Sequence, residues 1–401
     1  MGAGHSHEPS ETLPPAPPDL RRLVTLIIVP LVVATLIGLI VLWPRGAAPQ
    51  QPSDTLPRLH GEVVAATPAC PREVPAQPGG DCGTAQVRVG DETVDAVVPT
   101  GPSAPQVAVG DKVVLIASPD AAGGQRYAVV DHDRWGWLVA LVALFIAAVI
   151  GFARWRGVAS LVGLAVSFAV LLLFILPAIQ RGESPLPVAI VGSAAIMFAV
   201  IYLTHGVSVG TSMAVLGTLA ALVLTGLLGL LATNLLHLTG AGSDEAAILT
   251  NVLSGVDLRG LLLAGIIIGT LGVLDDVAIT QLAIVGELSL ADPTLSARRL
   301  YRSAIRIGRS HVASVVNTII LAYAGASLPL MLLLVTAGTG TRDVLSTQVM
   351  AAEIVRGVVG TLGLIAAVPI TTALGAWAIS RAHRHREQPH AHPEPPAPAA
   401  G

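Results

Sequence analysis

Long apolar runs dominate the chain, and their length predicts helices that cross a lipid bilayer. A transmembrane helix needs about 20 predominantly apolar residues, and eight runs reach that length. We therefore predict a mainly α-helical, polytopic bundle of about eight spans, with a membrane anchor at residues 21–43 and a seven-span membrane domain at residues 135–380. The runs lie at about 23–42, 136–153, 157–177, 186–204, 207–232, 259–281, 311–336 and 357–380.

The first apolar run is open to a second interpretation, because a charged flank followed by an apolar stretch also marks a signal peptide. Arg21 and Arg22 precede the run, which is longer than the apolar part of a typical signal peptide. Pro49 follows the small-residue segment 46–48, the one plausible cleavage site. These features favour an uncleaved anchor.

Residues 55–131 change character, because short segments of alternating polar and apolar residues replace the long apolar runs. Turn sequences such as Val89-Gly90-Asp91-Glu92 separate the segments. Four to six short strands in this space predict a small β-barrel of the OB or SH3-like type, or a half-barrel. The expected strands are 59–65, 85–89, 93–98, 112–117 and 127–130.

Composition supports the membrane interpretation, since 53% of the 401 residues are hydrophobic and only 12% are charged. Soluble domains carry about 25% charged residues. The Pro-rich tails at 1–20 and 381–401 are predicted to be disordered and cytoplasmic. Their histidines could hold a transition metal loosely, but a solvated tail is the favoured interpretation. The sequence has no basic patch with interleaved aromatics, so nucleic-acid binding is not expected.

The distribution of arginines predicts the orientation, because cytoplasmic loops carry an excess of Lys and Arg. With the N-terminus inside, eight spans return the C-terminus to the cytoplasm and place the β-module outside, in a cell (plasma) membrane. Short outer loops then hold four arginines: Arg181, Arg259, Arg342 and Arg356. The cytoplasmic segments hold twelve: Arg21, Arg22, Arg154, Arg156, Arg298, Arg299, Arg302, Arg306, Arg309, Arg381, Arg384 and Arg386.

Cys70 and Cys82 are the two cysteines of the chain, and both lie in a loop-like insertion of the β-module. Outside the cytoplasm a disulfide between them is the natural interpretation. Two free thiols remain the alternative. A zinc site is weaker still, because two thiolates fill only half of its ligand positions. We predict no metal and no cofactor.

The run at 259–281 holds two adjacent carboxylates, Asp275 and Asp276, and charge inside a membrane is usually retained for function. Gly265, Gly269 and Gly272 share one helical face with Asp276 and with Thr280. Such a stripe of small residues should face protein, because another helix can approach it closely. Asp276 is therefore our preferred site for a proton or cation, with Asp275 rotated by about 100°.

The following span runs in the opposite direction, so its polar residues fall at a comparable depth. His311, Ser314 and Asn317 could meet Asp276 if the two helices pack together. The alternative is structural, with the carboxylates accepting hydrogen bonds that pin the helices. For Thr280, near the inner interface, the structural alternative is favoured.

Glu353 and Arg356 are spaced i, i+3 at the outer start of the last span, where they can pair on one helix face. An interfacial ion pair is the favoured role for them. Enzyme signatures such as Gly-x-Ser-x-Gly, His-Glu-x-x-His and the P-loop are missing from the sequence. An intramembrane aspartyl protease would need its two carboxylates on different helices. We therefore predict that the protein is not an enzyme.

Three segments resemble the YibE/F-like family of bacterial membrane proteins: GTLGVLDDVAITQ at 269–281, RSAIRIGRSHVASVVNTIILAYAGASLPL at 302–330 and EIVRGVVGTLGLIAAVPITT at 353–372. The similarity runs from the β-module to the last span. It implies a multi-pass protein of the bacterial plasma membrane, often suspected of transport, with no assigned substrate or catalytic residues. A single aspartate is expected after the glycines, and the second one here is another reason to prefer Asp276.

These features predict a secondary transporter or ion-coupled permease that moves a small solute or an ion, with proton coupling as one form. The alternative is a membrane-anchored scaffold or sensor whose outer β-module binds a partner. Eight spans are far more than an anchor requires, which favours the transporter.

Overall fold

The computed structural model describes residues 17–46, 56–68, 70, 82–101, 105–119, 124–253, 255–336, 338 and 340–387. Most of the predicted disordered tails, 1–16 and 388–401, lies outside these residues. The described chain forms two compact units. One unit lies within 1–48 and 159–401, and the other lies within 49–158.

A closed five-stranded barrel forms most of the second unit, as the alternating segments predicted. Its strands are β1 (Arg58–Ala66), β2 (Thr84–Val89), β3 (Glu92–Val97), β4 (Lys112–Pro119) and β5 (Gln125–His132). The strand order is β1-β2-β3-β5-β4, with β1 and β4 closing the barrel. Among the described strands, only β3 and β5 pair in parallel. This crossover is the Greek-key arrangement of the OB type, one of the predicted alternatives.

Inward-pointing residues at every second strand position build the barrel core. Val87, Val113, Leu115 and Val129 are fully buried, in line with the period of two in a half-buried strand. Gly90 joins β2 to β3 in a tight hairpin and has φ +62°, a conformation that favours glycine. A disulfide joins Cys70 to Cys82 across the connection between β1 and β2.

Eleven α-helices and one π turn account for the rest of the described elements. They are α1 (Pro18–Val41), α2 (Trp135–Val170), the π turn (Leu171–Ile175), α3 (Leu176–Gln180), α4 (Pro185–His205), α5 (Val209–Leu235), α6 (Asp244–Val252), α7 (Leu258–Ala291), α8 (Ala297–Ala326), α9 (Leu328–Thr336), α10 (Thr341–Ser346) and α11 (Gln348–Glu387). Helix α11 thus continues into the segment 381–387 that was predicted to be disordered.

Six helices among the described residues are long and apolar enough to cross a membrane, or seven if α8 and α9, bent by 60°, count as one span. One of the six, Trp135–Gln180, has 46 residues, about twice what one crossing requires. Arg154 interrupts it with φ 52° and ψ −128°, between the predicted spans 136–153 and 157–177. The count of eight spans stays a prediction.

Helices α5, α7 and α11 form the centre of the first unit, and glycines allow them to approach closely. A side chain at Gly363 of α11 would collide with Thr225 of α5, and one at Gly360 would collide with Thr270 of α7. On α5, Gly226 and Gly229 face large aliphatic residues of α7. This is the packing of membrane helices, in which small residues bring backbones together.

Large apolar side chains remain exposed on the outside of the helices, including Leu26 at 73% and Leu333 at 66%. A soluble protein rarely exposes apolar surface of this extent. A lipid bilayer would cover it, which agrees with the predicted membrane class.

Candidate functional site

Helix α7 carries both acidic residues of interest and packs against α4, α5, α8 and α11. Asp257 caps its start by accepting a hydrogen bond from the Gly260 N–H at 2.9 Å. The helix continues to Ala291, beyond the predicted end at 281, and Asp292 follows as its C-cap. Sixteen of its residues are buried.

Asp275 lies at the edge of the buried face of α7, beside Leu271, Leu274 and Ala278, which are at most 3% exposed. Its Oδ1 is fully buried and has no hydrogen-bond partner. Among the described residues, the ion pairs do not include this carboxylate. Since burial of an unpaired carboxylate is costly, helix packing does not account for this residue.

Asp276 lies on the exposed side of α7, together with Gly265, Gly269 and Gly272. Among the three glycines, the expected contact with protein is seen only at Gly269, beside the Tyr323 hydroxyl of α8, and the core lies on the other face of α7. The physical reason is that the glycines at which α7 packs closely belong to the neighbouring helices. Large residues of α7 such as Ile267 and Leu263 fill the space beside Gly226 and Gly229 of α5. The core consequently takes the aliphatic face of α7, and Asp275 with it.

Among the described residues, four hydroxyl groups on neighbouring helices are buried without a hydrogen-bond partner: Ser193 of α4, Thr218 of α5, and Thr361 and Ser380 of α11. Gly226 of α5 and Ile267 of α7 are in contact, and the two helices are antiparallel. Thr218 lies eight residues before Gly226 and Asp275 lies eight residues after Ile267, so the two residues are at the same height. Gly360 contacts Thr270 on parallel helices, which puts Thr361 about one turn from the level of Asp275.

Unpartnered hydroxyl groups of α5 and α11 therefore lie near the height of the Asp275 carboxylate. Sequence reasoning missed all four hydroxyls. Serine and threonine are common in membrane helices, and many of those in this bundle donate to a carbonyl four residues back, as Thr225 and Thr371 do. Only the structure distinguishes the hydroxyls that do not.

Helix α8 packs antiparallel to α7, as expected, through two contacts at different depths. Gly269 lies beside the Tyr323 hydroxyl, and Gln281 Nε2 donates to the carbonyl of Ala304 at 3.0 Å. Counted from the first contact, Asp276 comes level with Val316, next to Asn317, and counted from the second it comes level with Arg309. Gln281, buried at 2% exposure, makes this side-chain hydrogen bond between the helices, and the expected meeting of Asn317 with Asp276 stays a prediction.

The remaining candidates on α7 and α8 are not brought together by hydrogen bonds among the described residues. Asn317 and Ser314 are exposed, and Thr280 is half-buried. His311 is half-buried, with Nε2 shielded from solvent and without a partner.

At the other end of the unit, Arg356 Nη1 donates to Glu353 Oε1 at 2.6 Å, with both side chains about one quarter exposed. Glu353 also lines an apolar cavity of about 260 Å³ between α8 and α11, beside Tyr323 and Gly357. The pair is local to one turn of α11 and lies away from Asp275, on the side where α11 begins.

Comparison with known proteins gives one positive finding. Neither the curated proteins nor the solved structures include a match to this chain. A family model described as YibE/F-like protein matches residues 141–381, which include the two aspartates of α7 and all of α4 to α10. The chain therefore belongs to the YibE/F-like family.

Proposed function

We propose that this protein is an ion-coupled secondary transporter in which Asp275 binds the coupling proton or cation. One observation carries the proposal: a carboxylate oxygen of a central helix is fully buried and has no partner. A structural carboxylate would accept hydrogen bonds or pair with a cation. A group that must exchange a proton or cation has to be left free for its ligand, and such groups in membrane helices mark ion pathways.

The surroundings of Asp275 suit a small cation or a proton. Unpartnered hydroxyls of Thr218 and Thr361 lie at nearby heights on α5 and α11, and oxygen atoms are the ligands that hard cations prefer. Asp276, the residue that sequence reasoning preferred, becomes the secondary candidate because its side chain lies outside the helix packing.

The proposed topology is the one that the arginines predict, with eight spans, both termini in the bacterial cytoplasm and the barrel outside. Contacts between helix ends support it. Arg181 donates to the carbonyl of Gly46, and Arg259 to Asn234, all at predicted outer ends. His383 of α11 contacts the carbonyl of Pro293 at 2.9 Å, both on the predicted inner side. The Cys70–Cys82 disulfide suits an oxidising compartment.

The test is proton flux in proteoliposomes that contain the purified protein and an internal pH dye. Imposed gradients of Na⁺, K⁺ or sodium lactate are applied to wild type, Asp275→Asn and Asp276→Asn. We expect at least one gradient to drive a pH change that Asp275→Asn reduces by about 100-fold, since the lost group is the ion carrier.

Asp276→Asn is the matched control, because it makes the same change one residue away and should keep most of the flux. Equal flux in wild type and Asp275→Asn would contradict the assignment. Flux in none of the gradients above that of protein-free liposomes would contradict coupled transport of these ions.

A further inference from the structure

A cleft of about 590 Å³ opens between the end of α5 and the start of α7, at the predicted outer side of the helical unit. Its volume is in the range of small-molecule sites. Polar side chains make up much of its wall: Thr233, Asn234, His237, Thr239, Asp257 and Arg259. None of these residues belongs to the Asp275 site.

Arg259 is the cationic centre of the cleft and is held in place by neutral groups. Its Nη2 donates to Thr233 Oγ1 at 3.4 Å and to Asn234 Oδ1. Among the described residues, no carboxylate lies within ion-pair distance of this guanidinium. A guanidinium has five N–H donors, so most of them stay free for a ligand. The side chain is half-buried, which strengthens any contact it makes to an anion.

Helix stability does not explain an arginine at this position. Arg259 is the second residue of α7, where the helix dipole disfavours a positive charge. The dipole favours Asp257, which caps the helix through its Oδ1. The positive charge of Arg259 is thus unfavourable for the helix that carries it.

His237 gives a second, independent indication. It follows the C-cap Leu236 of α5 with φ 50°, a left-handed conformation in which glycine is usual at the end of a helix. A histidine there carries a backbone cost, and its exposed side chain lines the cleft beside Arg259.

We propose that this cleft binds small solutes that carry a single carboxylate group. Arg259 would take the carboxylate with the paired donors of its guanidinium, and His237 would supply a further N–H. Asp257 adds one negative charge to the wall, which disfavours dianions and favours a ligand with a hydroxyl or ammonium donor beside its carboxylate. As an entry site for transported solute, the cleft rests on the proposed function, but its binding can be measured without flux.

The experiment is calorimetric titration of the detergent-solubilised full chain with sodium lactate, a hydroxy-monocarboxylate, against sodium chloride at equal ionic strength. We expect saturable lactate binding that Arg259→Gln weakens by at least about tenfold, because a charge-assisted contact is lost. Arg342→Gln removes an exposed arginine outside the cleft and should leave lactate affinity unchanged.

Arg259→Lys is the second variant, in case Arg259→Gln does not fold. It keeps the charge but loses the paired donors, and we expect about threefold weaker binding. Wild-type affinity in the folded Arg259 variants, an equal response to chloride, or tighter binding of inorganic phosphate than of lactate would overturn the inference.

Asp275→Asn separates this inference from the proposed function. It should abolish flux and keep lactate affinity. Lactate binding that depends on Arg259 in a protein without flux would leave the cleft assigned and the transporter proposal refuted. Flux that depends on Asp275, with no lactate binding, would support the transporter proposal and refute the assignment of the cleft.

Discussion

The carboxylates at the base of the barrel and Asp275 of the helical unit differ in their partners. In the barrel, Asp133 pairs with His60 at 2.9 Å and Asp131 with Arg134 at 2.7 Å, on the surface. Asp133 also caps the start of α2 by accepting from the N–H of Trp135. In the helical unit, Oδ1 of the half-buried Asp275 is shielded and has no partner among the described residues. The barrel's acids are explained by the local structure that they support, whereas no contact of the described residues explains Asp275.

The largest effect on stability should follow removal of the disulfide, and it should be confined to the barrel. Replacing Cys70 and Cys82 with serine frees the chain between β1 and β2, and we expect a loss of about 2–4 kcal/mol in the free energy of barrel unfolding. Hydrogen exchange of barrel peptides in the full chain measures it. Faster exchange in α5, α7 and α11 as well would show that the two units do not unfold separately.

Replacing Asp275 with leucine should stabilise the helical unit, which is the reverse of what a structural residue would show. An unpartnered buried carboxylate is exchanged for an apolar group of similar size, and we expect a gain of about 1–3 kcal/mol. Thermal unfolding in detergent measures the change. Asp276→Leu is the control and should shift the midpoint little. A lower midpoint in Asp275→Leu would indicate a structural partner and weaken the transporter proposal.

Alanine at Gly363 should loosen the helical unit by about 1–2 kcal/mol, because the added methyl group meets Thr225 at the contact of α5 and α11. Gly265→Ala is the matched control. A Cβ at Gly265 meets nothing within 4 Å, so the better helix propensity of alanine should leave stability equal or slightly higher. If Gly265→Ala is the more damaging of the two, the stripe on α7 does pack against a protein surface.

The smallest effect should be the acid sensitivity of the barrel. Arg134 lowers the pKa of Asp131, and the Trp135 N–H together with His60 lowers the pKa of Asp133. A carboxylate whose folded pKa is lowered adds stability above its unfolded pKa of about 4 and loses it as pH falls through the folded value. Barrel amides should therefore exchange faster, after correction for intrinsic rates, between pH 5 and about 3.

Asp133→Asn should reduce this acid sensitivity, while Asp95→Asn at an exposed position of β3 should keep it. Identical pH profiles in wild type and Asp133→Asn would show that the pairs do not support the barrel.

The sequence predicted the barrel and the apolar helices because both follow simple periodicities. The five strands begin and end within two residues of their predicted positions, since alternation of apolar residues and glycine turns are local signals. The apolar runs located α1, α4, α5, α7 and α11 for the same reason. What the sequence could not reveal is which face of a uniformly apolar helix turns inward, because lipid and protein core accept the same residues.

That ambiguity is why Asp276 was preferred over Asp275. Small residues mark a contact face only if the neighbouring helix supplies the large ones, and here α7 supplies Ile267 while α5 supplies Gly226. The cleft at Arg259 escaped notice for another reason. Its residues come from the end of one helix and the start of another, and no short motif spans them.

The most direct test of the central claim is infrared difference spectroscopy of the protein in lipid, recorded between acidic and alkaline buffer. A carboxyl group that binds and releases a proton in a dry environment gives a C=O stretching band that depends on pH. We predict one such band in wild type and Asp276→Asn that is missing in Asp275→Asn. A band that persists in Asp275→Asn and disappears in Asp276→Asn would contradict the account and return the working role to Asp276.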